Sequence, residues 1–233
     1  MSRRLISAEF VVSAVRPRDF PVDGCPEIAL AGRSNVGKSS LINALVRSAV
    51  ARTSAAPGKT RQVNVYRVRP AGGQPFYLMD LPGYGHAGGG EKARREFAAL
   101  TALYFDTRTT PGDTRTTPGV VFEEARTGNH ARSDLASPLR AVVLAIDARH
   151  PGLASDRDAW RWLQTLGVPF LLVATKFDKL SQSEKATLNR ACEDSLGATP
   201  LPVSTVTGAG LDELWGRLNE LTGGGSNPAS GSA

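Results

Sequence analysis

Apolar residues along the chain fall into runs of two periods. Glu27 to Ala31, Phe76 to Met79, Arg140 to Ile146 and Val168 to Ala174 are nearly unbroken, which predicts buried strands. Phe10 to Val15 predicts a leading edge strand, and Leu201 to Ser204 a short last one. Gln62 to Val68 alternates apolar and polar positions, as a half-buried strand does. With a turn at residues 70–74 it would pair with Phe76 to Met79 as an antiparallel hairpin at the sheet edge. Helical spacing begins at Ser40 and runs to about Arg47. From Glu91 to Phe105 it places Phe97, Leu100 and Tyr104 on one face. Asp156 to Leu166 turns Trp160 and Leu163 inward. Ser181 and Glu184 form a capping box ahead of a helix ending near Leu196, with Leu188, Cys192 and Leu196 aligned. Leu211, Leu214, Trp215, Leu218 and Leu221 stripe a final helix. Strands alternating with helices predict an α/β fold: a mostly parallel sheet with one antiparallel edge strand and helices on both faces.

Three stretches interrupt this pattern. Residues 51–60 are small and polar and predict a loop. Asp80 to Gly90 holds six Gly or Pro positions, which predicts a mobile segment. Asp106 to Gly112 is repeated letter for letter as Asp113 to Gly119, and polar residues continue to about Ser137. Lacking a packing pattern, residues 106–138 predict a disordered insertion. The chain thus divides into an N-terminal strand and linker at 1–26, a main domain at 27–222 carrying the insertion, and a Gly/Ser tail at 223–233.

At 233 residues with 41% hydrophobic content, the chain can bury a core of ordinary size. No run approaches the roughly 20 apolar residues of a membrane span, and no signal peptide is visible. Cys25 and Cys192 have neither metal nor redox spacing. These features predict a cytoplasmic monomer without a membrane partner. The net charge of +6 is unevenly placed: residues 1–70 carry 12 Lys/Arg against 4 Asp/Glu. Arg3, Arg4, Arg16, Arg18, Arg47, Arg52, Lys59, Arg61, Arg67 and Arg69 form either a face for polyanions or a solvated surface, and charge alone leaves both open.

Gly32-Arg33-Ser34-Asn35-Val36-Gly37-Lys38-Ser39-Ser40 fits G-x-x-x-x-G-K-S/T, with a predicted strand before it and a helix after it. The glycines let successive N–H groups face phosphate oxygens, and the helix adds its positive end. Lys38 then reaches the β- and γ-phosphates and the Ser39 hydroxyl holds Mg²⁺. Asp80-Leu81-Pro82-Gly83 is D-x-x-G at the end of a buried strand. A carboxylate there holds Mg²⁺ through a water, and the Gly83 N–H bonds a γ-phosphate. Thr175-Lys176-Phe177-Asp178 ends another strand. Asp178 can accept from the N1–H and N2–H₂ of guanine, a donor pair that adenine lacks, while the Lys176 stem covers the base plane. Thr175 stands where Asn is commoner. After the last strand, Val203, Ser204 and Thr205 can support the base through backbone N–H groups. In the loop after the first helix, Thr60 can complete Mg²⁺ coordination when a γ-phosphate is present. Thr53 is its rival, and the context Pro57-Gly58-Lys59-Thr60 favours Thr60.

Together these stretches, with Tyr84 and Gly85 after the D-x-x-G, closely resemble the bacterial EngB-type GTP-binding proteins over about residues 8–105 and 139–221. The resemblance implies a Ras-like P-loop GTPase domain that hydrolyses GTP. It implies GTP and GDP as ligands, Mg²⁺ as cofactor and the large ribosomal subunit or its rRNA as partner. The implied role is a nucleotide-dependent switch in large-subunit assembly, with a link to cell division and septation. It also implies K⁺ near the phosphates at Asn35. Residues 106–138 have no counterpart in the family pattern, so no role passes to them. His86 stands where relatives usually carry another aromatic, and Gly88-Gly89-Gly90 replaces a more polar stretch.

The expected reaction is attack of water on the γ-phosphate. Lys38, Asn35, Thr60 and the Gly83 N–H are the candidate catalytic groups. Many GTPases place Gln after D-x-x-G to orient the water. Tyr84 stands there instead, which predicts slow intrinsic turnover. Two other classes compete. A P-loop ATPase or kinase is disfavoured by Thr175 to Asp178. An RNA-binding module with a structural nucleotide would bind its partner equally with GDP and GTP.

Overall fold

A computed structural model describes residues 6–51, 62–71, 73–84, 90–108 and 137–223, with the backbone alone over 90–98. Seven strands form one sheet: β1 (Ile6–Ala14), β2 (Glu27–Gly32), β3 (Val63–Pro70), β4 (Phe76–Asp80), β5 (Leu139–Asp147), β6 (Phe170–Thr175) and β7 (Leu201–Pro202). Their spatial order is β1-β3-β4-β2-β5-β6-β7. The helices are α1 (Lys38–Val46), α2 (Gly90–Arg108), α3 (Ala154–Gln164), α4 (Gln182–Leu196) and α5 (Leu211–Leu221).

One strand, β3, opposes all the others. It runs antiparallel to both β1 and β4, while the remaining pairs are parallel. The hairpin of β3 with β4 is therefore one strand in from the edge, because β1 covers β3. β1 pairs from Ile6 opposite Pro70 to Ala14 opposite Val63, with a shift between Phe10 and Val12. It starts well before the apolar run at Phe10, since polar Ser7 and Glu9 belong to its alternation. Arg69 of β3 meets Glu9 at 2.8 Å.

Alternate residues of the buried strands feed opposite faces. Ile28 and Leu30 of β2, with Ala141 and Val143 of β5, pack with Leu41, Ile42 and Leu45 of α1 and with Leu214, Trp215 and Leu218 of α5. Ala29 and Ala31 of β2, with Val142, Leu144 and Ile146 of β5, face the other way. They meet Tyr104 and Phe105 of α2, Trp160 and Leu163 of α3, and Leu188, Cys192 and Leu196 of α4. Helices thus cover both faces, as strands buried on both sides require. The capping box of α4 forms: the Ser181 N–H donates to Glu184 Oε2 at 2.7 Å, and Gly197 at φ 69° ends the helix.

α2 continues through Arg108, past the expected start of the insertion at 106. The reason is tertiary. Arg108 Nε lies 3.3 Å from the buried Glu27 Oε1, its Nη2 donates to the Pro21 carbonyl at 2.8 Å, and its guanidinium sits over the Phe20 ring. The Tyr104 hydroxyl donates to Glu27 Oε2 at 3.0 Å. The Ser137 hydroxyl donates to the Arg108 carbonyl, so residues 108 and 137 are neighbours in space. Residues 109–136, which hold most of the repeat, lie outside the described residues, as do Gly85 to Gly89 with His86, the loop at 52–61 and the tail from 224. Among the described residues no helix is long and apolar enough to cross a membrane.

Candidate nucleotide site

β2 ends at Gly32, where a side chain cannot fit: a Cβ would stand 2.6 Å from the Ala145 carbonyl oxygen of β5. The chain turns through a left-handed Asn35 (φ 62°), a conformation Asn tolerates better than most residues, and then through Gly37 at φ 110°. α1 follows at once with Lys38, and Ser39 and Ser40 complete its first turn. The N–H groups of that turn have no intrahelical acceptor and face an incoming anion.

Lys38 is almost wholly buried, and its Nζ donates to the Gly32 carbonyl at 3.1 Å. Burial lowers its ammonium from the usual lysine range, and the nearby Asp80 carboxylate pulls it back up. Asp80, the last residue of β4, accepts from the Ser39 hydroxyl through Oδ2 at 3.1 Å. Its Oδ1 is buried with no hydrogen-bond partner among the described residues. Burial raises the Asp80 carboxyl, with Lys38 and Ser39 opposing. An orphaned carboxylate oxygen beside a serine hydroxyl is a hard-oxygen donor pair that fits Mg²⁺. Lys38 and Asp80 thus place opposite charges close enough to influence each other, an arrangement that fits phosphate beside metal.

Leu81 and Pro82 are buried and carry the chain from β4 to Gly83. Gly83 presses on the phosphate loop, where a Cβ would come within 2.7 Å of Ser34 N. The Ser34 N–H donates to the Tyr84 carbonyl at 2.9 Å, and the Ser34 hydroxyl donates to the Gly83 carbonyl at 3.2 Å. Arg33 and Tyr84 pair as an isolated parallel bridge. The D-x-x-G backbone is thus stitched directly to the loop.

On the other side, Thr175 at the end of β6 donates its hydroxyl to the Val36 carbonyl at 2.6 Å, with the Ile146 carbonyl as a second acceptor at 2.9 Å. Lys176, left-handed at φ 59°, donates through Nζ to the Asn35 carbonyl and to Asp147 Oδ2, both at 2.8 Å. Phe177 opens a 3₁₀ turn, and its N–H donates to the Val203 carbonyl at 3.2 Å. Asp178 Oδ1 accepts from the buried Ser204 hydroxyl at 2.7 Å, which holds its carboxyl below the usual carboxylate range. The N–H groups of Val206 and Thr207 donate to the same Ser204 oxygen at 3.2 and 3.1 Å. Thr205, between Ser204 and Val206, is half-buried.

The structure therefore gathers Gly32 to Ser40, Asp80 to Gly83, Thr175 to Asp178 and Val203 to Thr205 at the carboxyl ends of the parallel strands, where α/β sheets bind ligands. Pro57, Gly58, Lys59 and Thr60, and the rival Thr53, lie outside the described residues.

The model of a family described as a 50S ribosome-binding GTPase matches residues 27–116. The probable GTP-binding protein EngB of Solibacter usitatus is 40% identical over 211 residues, covering 90% of this chain and 93% of the relative. That of Alkaliphilus metalliredigens is 34% identical over 223 residues, covering 94% and 92%. The chain belongs to the EngB family of GTP-binding proteins. As a member of it, the chain binds guanine nucleotides and hydrolyses GTP. A crystal structure of a probable EngB shares its fold with a TM-score of 0.57 and 17% identity, covering 84% of this chain and 98% of that one. A crystal structure of an Aquifex aeolicus Era variant bound to GDP.AlF4- has a TM-score of 0.58 and 20% identity, covering 84% and 56%.

Two acids in the EngB-family site escaped the sequence reading. Asp147, at the end of β5, receives Lys176 and also Arg149, whose Nε and Nη2 donate at 2.9 and 2.7 Å. Burial alone would raise its carboxyl, but those hydrogen bonds outweigh burial and hold it well below the usual range. A buried run ending in Asp, in register with Thr175, was the available signal. Asp156 in α3 meets both Arg33 and Tyr84, and its position on a helix gave no local sign of that.

Proposed function

We propose that this GTPase is a nucleotide-dependent switch that engages the large ribosomal subunit during its assembly. The observation that carries the reading is the contact of Gly83 with Ser34: the backbone aimed at a γ-phosphate is fastened to the loop that grips the other phosphates. Loss of the γ-phosphate then changes a single connected surface.

In this reading the phosphates lie across the N–H groups from Asn35 to Ser40, with Lys38 spanning the β- and γ-phosphates. Ser39 and Thr60 would hold Mg²⁺ through their hydroxyls, and Asp80 through a water. When bound, the metal supplies positive charge beside the β- and γ-phosphate oxygens. Asp178 accepts from guanine, held in place by Ser204, and the Lys176 stem lies along the base. Lys176 also fixes the Asn35 carbonyl, which leaves the Asn35 side chain to hold K⁺ near the phosphates. The Tyr84 hydroxyl donates to Asp156 at 3.0 Å, so its hydrogen is committed there and not to a water. Intrinsic turnover is accordingly slow, awaiting K⁺ or the partner.

The family's description as ribosome-binding and the basic first third of the chain support a particle rich in RNA as partner. The likeness to the EngB family adds a link to cell division and septation to this reading. Co-sedimentation with purified large subunits tests the reading. Binding should be tighter with a non-hydrolysable GTP analogue than with GDP and should weaken as salt rises. Equal binding in both nucleotide states would favour an RNA-binding module with a structural nucleotide.

A further inference from the structure

Asp156 carries a charge for which the nucleotide reading has no use. It lies in the first turn of α3, is 0% exposed, and has one oxygen, Oδ2, without a hydrogen-bond partner among the described residues. Its other oxygen, Oδ1, accepts from the Tyr84 hydroxyl at 3.0 Å and from Arg33 Nε at 3.1 Å. These partners come from the two loops of the site: Tyr84 directly follows Gly83, and Arg33 directly follows Gly32. Burying a carboxylate is costly, and an apolar residue would pack a helix at least as well. Here the buried charge holds two loops that already share a backbone bridge and the Ser34 to Tyr84 hydrogen bond.

Such a clamp acts unequally on the ligands. The β-phosphate is gripped by the loop and by the start of α1, and for that loop Tyr84 is one support among several: Thr175 holds the Val36 carbonyl and Lys176 the Asn35 carbonyl. The γ-phosphate also depends on Gly83, whose place against Ser34 is set by the residue after it. A small displacement there costs far more for a reacting group than for a merely bound one.

We propose that Asp156 is a positioning residue for GTP hydrolysis: holding Tyr84 and Arg33 on one carboxylate oxygen, it fixes the Gly83 N–H where the γ-phosphate arrives. The inference rests on Gly83 contacting the γ-phosphate and is independent of the ribosomal partner. Tyr84 serves as a tether rather than a proton donor.

The test uses the full chain with Tyr84→Phe, which removes only a hydroxyl, and Asp156→Asn, which keeps shape. GDP affinity, affinity for a non-hydrolysable GTP analogue and single-turnover hydrolysis are measured for each. Both variants should lose about tenfold in analogue affinity, the worth of one charge-assisted hydrogen bond, and more than that in hydrolysis rate. GDP affinity should stay within about twofold, and the double variant should lose less than the two single losses combined, since Asp156→Asn weakens and Tyr84→Phe removes the same contact. Equal losses for GDP and analogue would make Asp156 merely structural. Additive losses, or a Tyr84→Phe protein that behaves as wild type, would also overturn the proposal. If Asp156→Asn does not fold, Tyr84→Phe decides alone. Gly83→Ala separates the two claims. If it destroys analogue binding but spares GDP binding while Tyr84→Phe changes nothing, Gly83 reads the γ-phosphate and Asp156 does not position it.

Discussion

Asp178 reaches the base side of the site with one carboxylate oxygen held by Ser204 and its charge kept on by that bond. An acceptor so fixed should read guanine sharply. Asp178→Asn should weaken GTP by roughly a hundredfold, the loss of two hydrogen bonds to a charged acceptor, and should favour xanthosine triphosphate, whose C2 oxygen needs a donor. Nucleotide competition measures this, and an unchanged GTP preference would mean that Asp178 does not read the base. Asn35 gives a second test at this scale: hydrolysis should run faster in KCl than in NaCl at equal ionic strength, and Asn35→Ala should abolish the difference. The roles proposed for these residues were legible because each motif is contiguous and its chemistry needs a fixed spacing. Asp156 was not, because Arg33 and Tyr84 lie far away in the chain, and Asp147 was not, because its link to the site runs through the distant Lys176. Thr175 shows how a departure from the commoner Asn is absorbed: its hydroxyl still reaches the Val36 carbonyl, at 2.6 Å.

Among the elements, the buried strands and amphipathic helices could be read because their periods differ. The end of α2 could not, since Asp106 to Arg108 look like the rest of the repeat and are ordered by Glu27, a contact across the molecule. That contact has a pH signature. Burial raises the Glu27 carboxyl from the ordinary 4.5 to about 7, with Arg108 and Tyr104 opposing. The folded chain then holds a proton that the unfolded chain has released, so stability from this group is complete below about pH 4.5 and lost as pH rises through about 7. The loss is at most about 3 kcal/mol. Thermal melts of Glu27→Gln should fall less over that window than wild type, and parallel curves would contradict the assignment. The neighbouring ends at Arg108 and Ser137 make a further prediction. Replacing residues 109–136 with a short linker should leave GTP affinity unchanged and stability equal or slightly higher, because a shorter loop saves about 1–2 kcal/mol of closure entropy. A deletion that also removes Arg108 should lower the melting temperature.

At the scale of the whole molecule, the basic first third is less free than its count of charges suggests. Arg33 meets Asp156, Arg47 lies 3.8 Å from Asp212, Arg67 lies 3.9 Å from Asp23, and Arg69 pairs with Glu9. Arg16 and Arg18 are exposed beside the end of β1. Charge reversal at those two positions should weaken binding to large subunits and flatten its salt dependence without altering GTP affinity. The switch itself is tested most directly through reciprocity. If the γ-phosphate tightens binding to the subunit, the subunit must tighten binding of the γ-phosphate by the same factor. The deciding measurement is the ratio of GTP-analogue to GDP affinity, taken free and with saturating large subunits. This ratio should rise with subunits present, by the factor separating subunit affinities in the two nucleotide states. An unchanged ratio would rule out the switch.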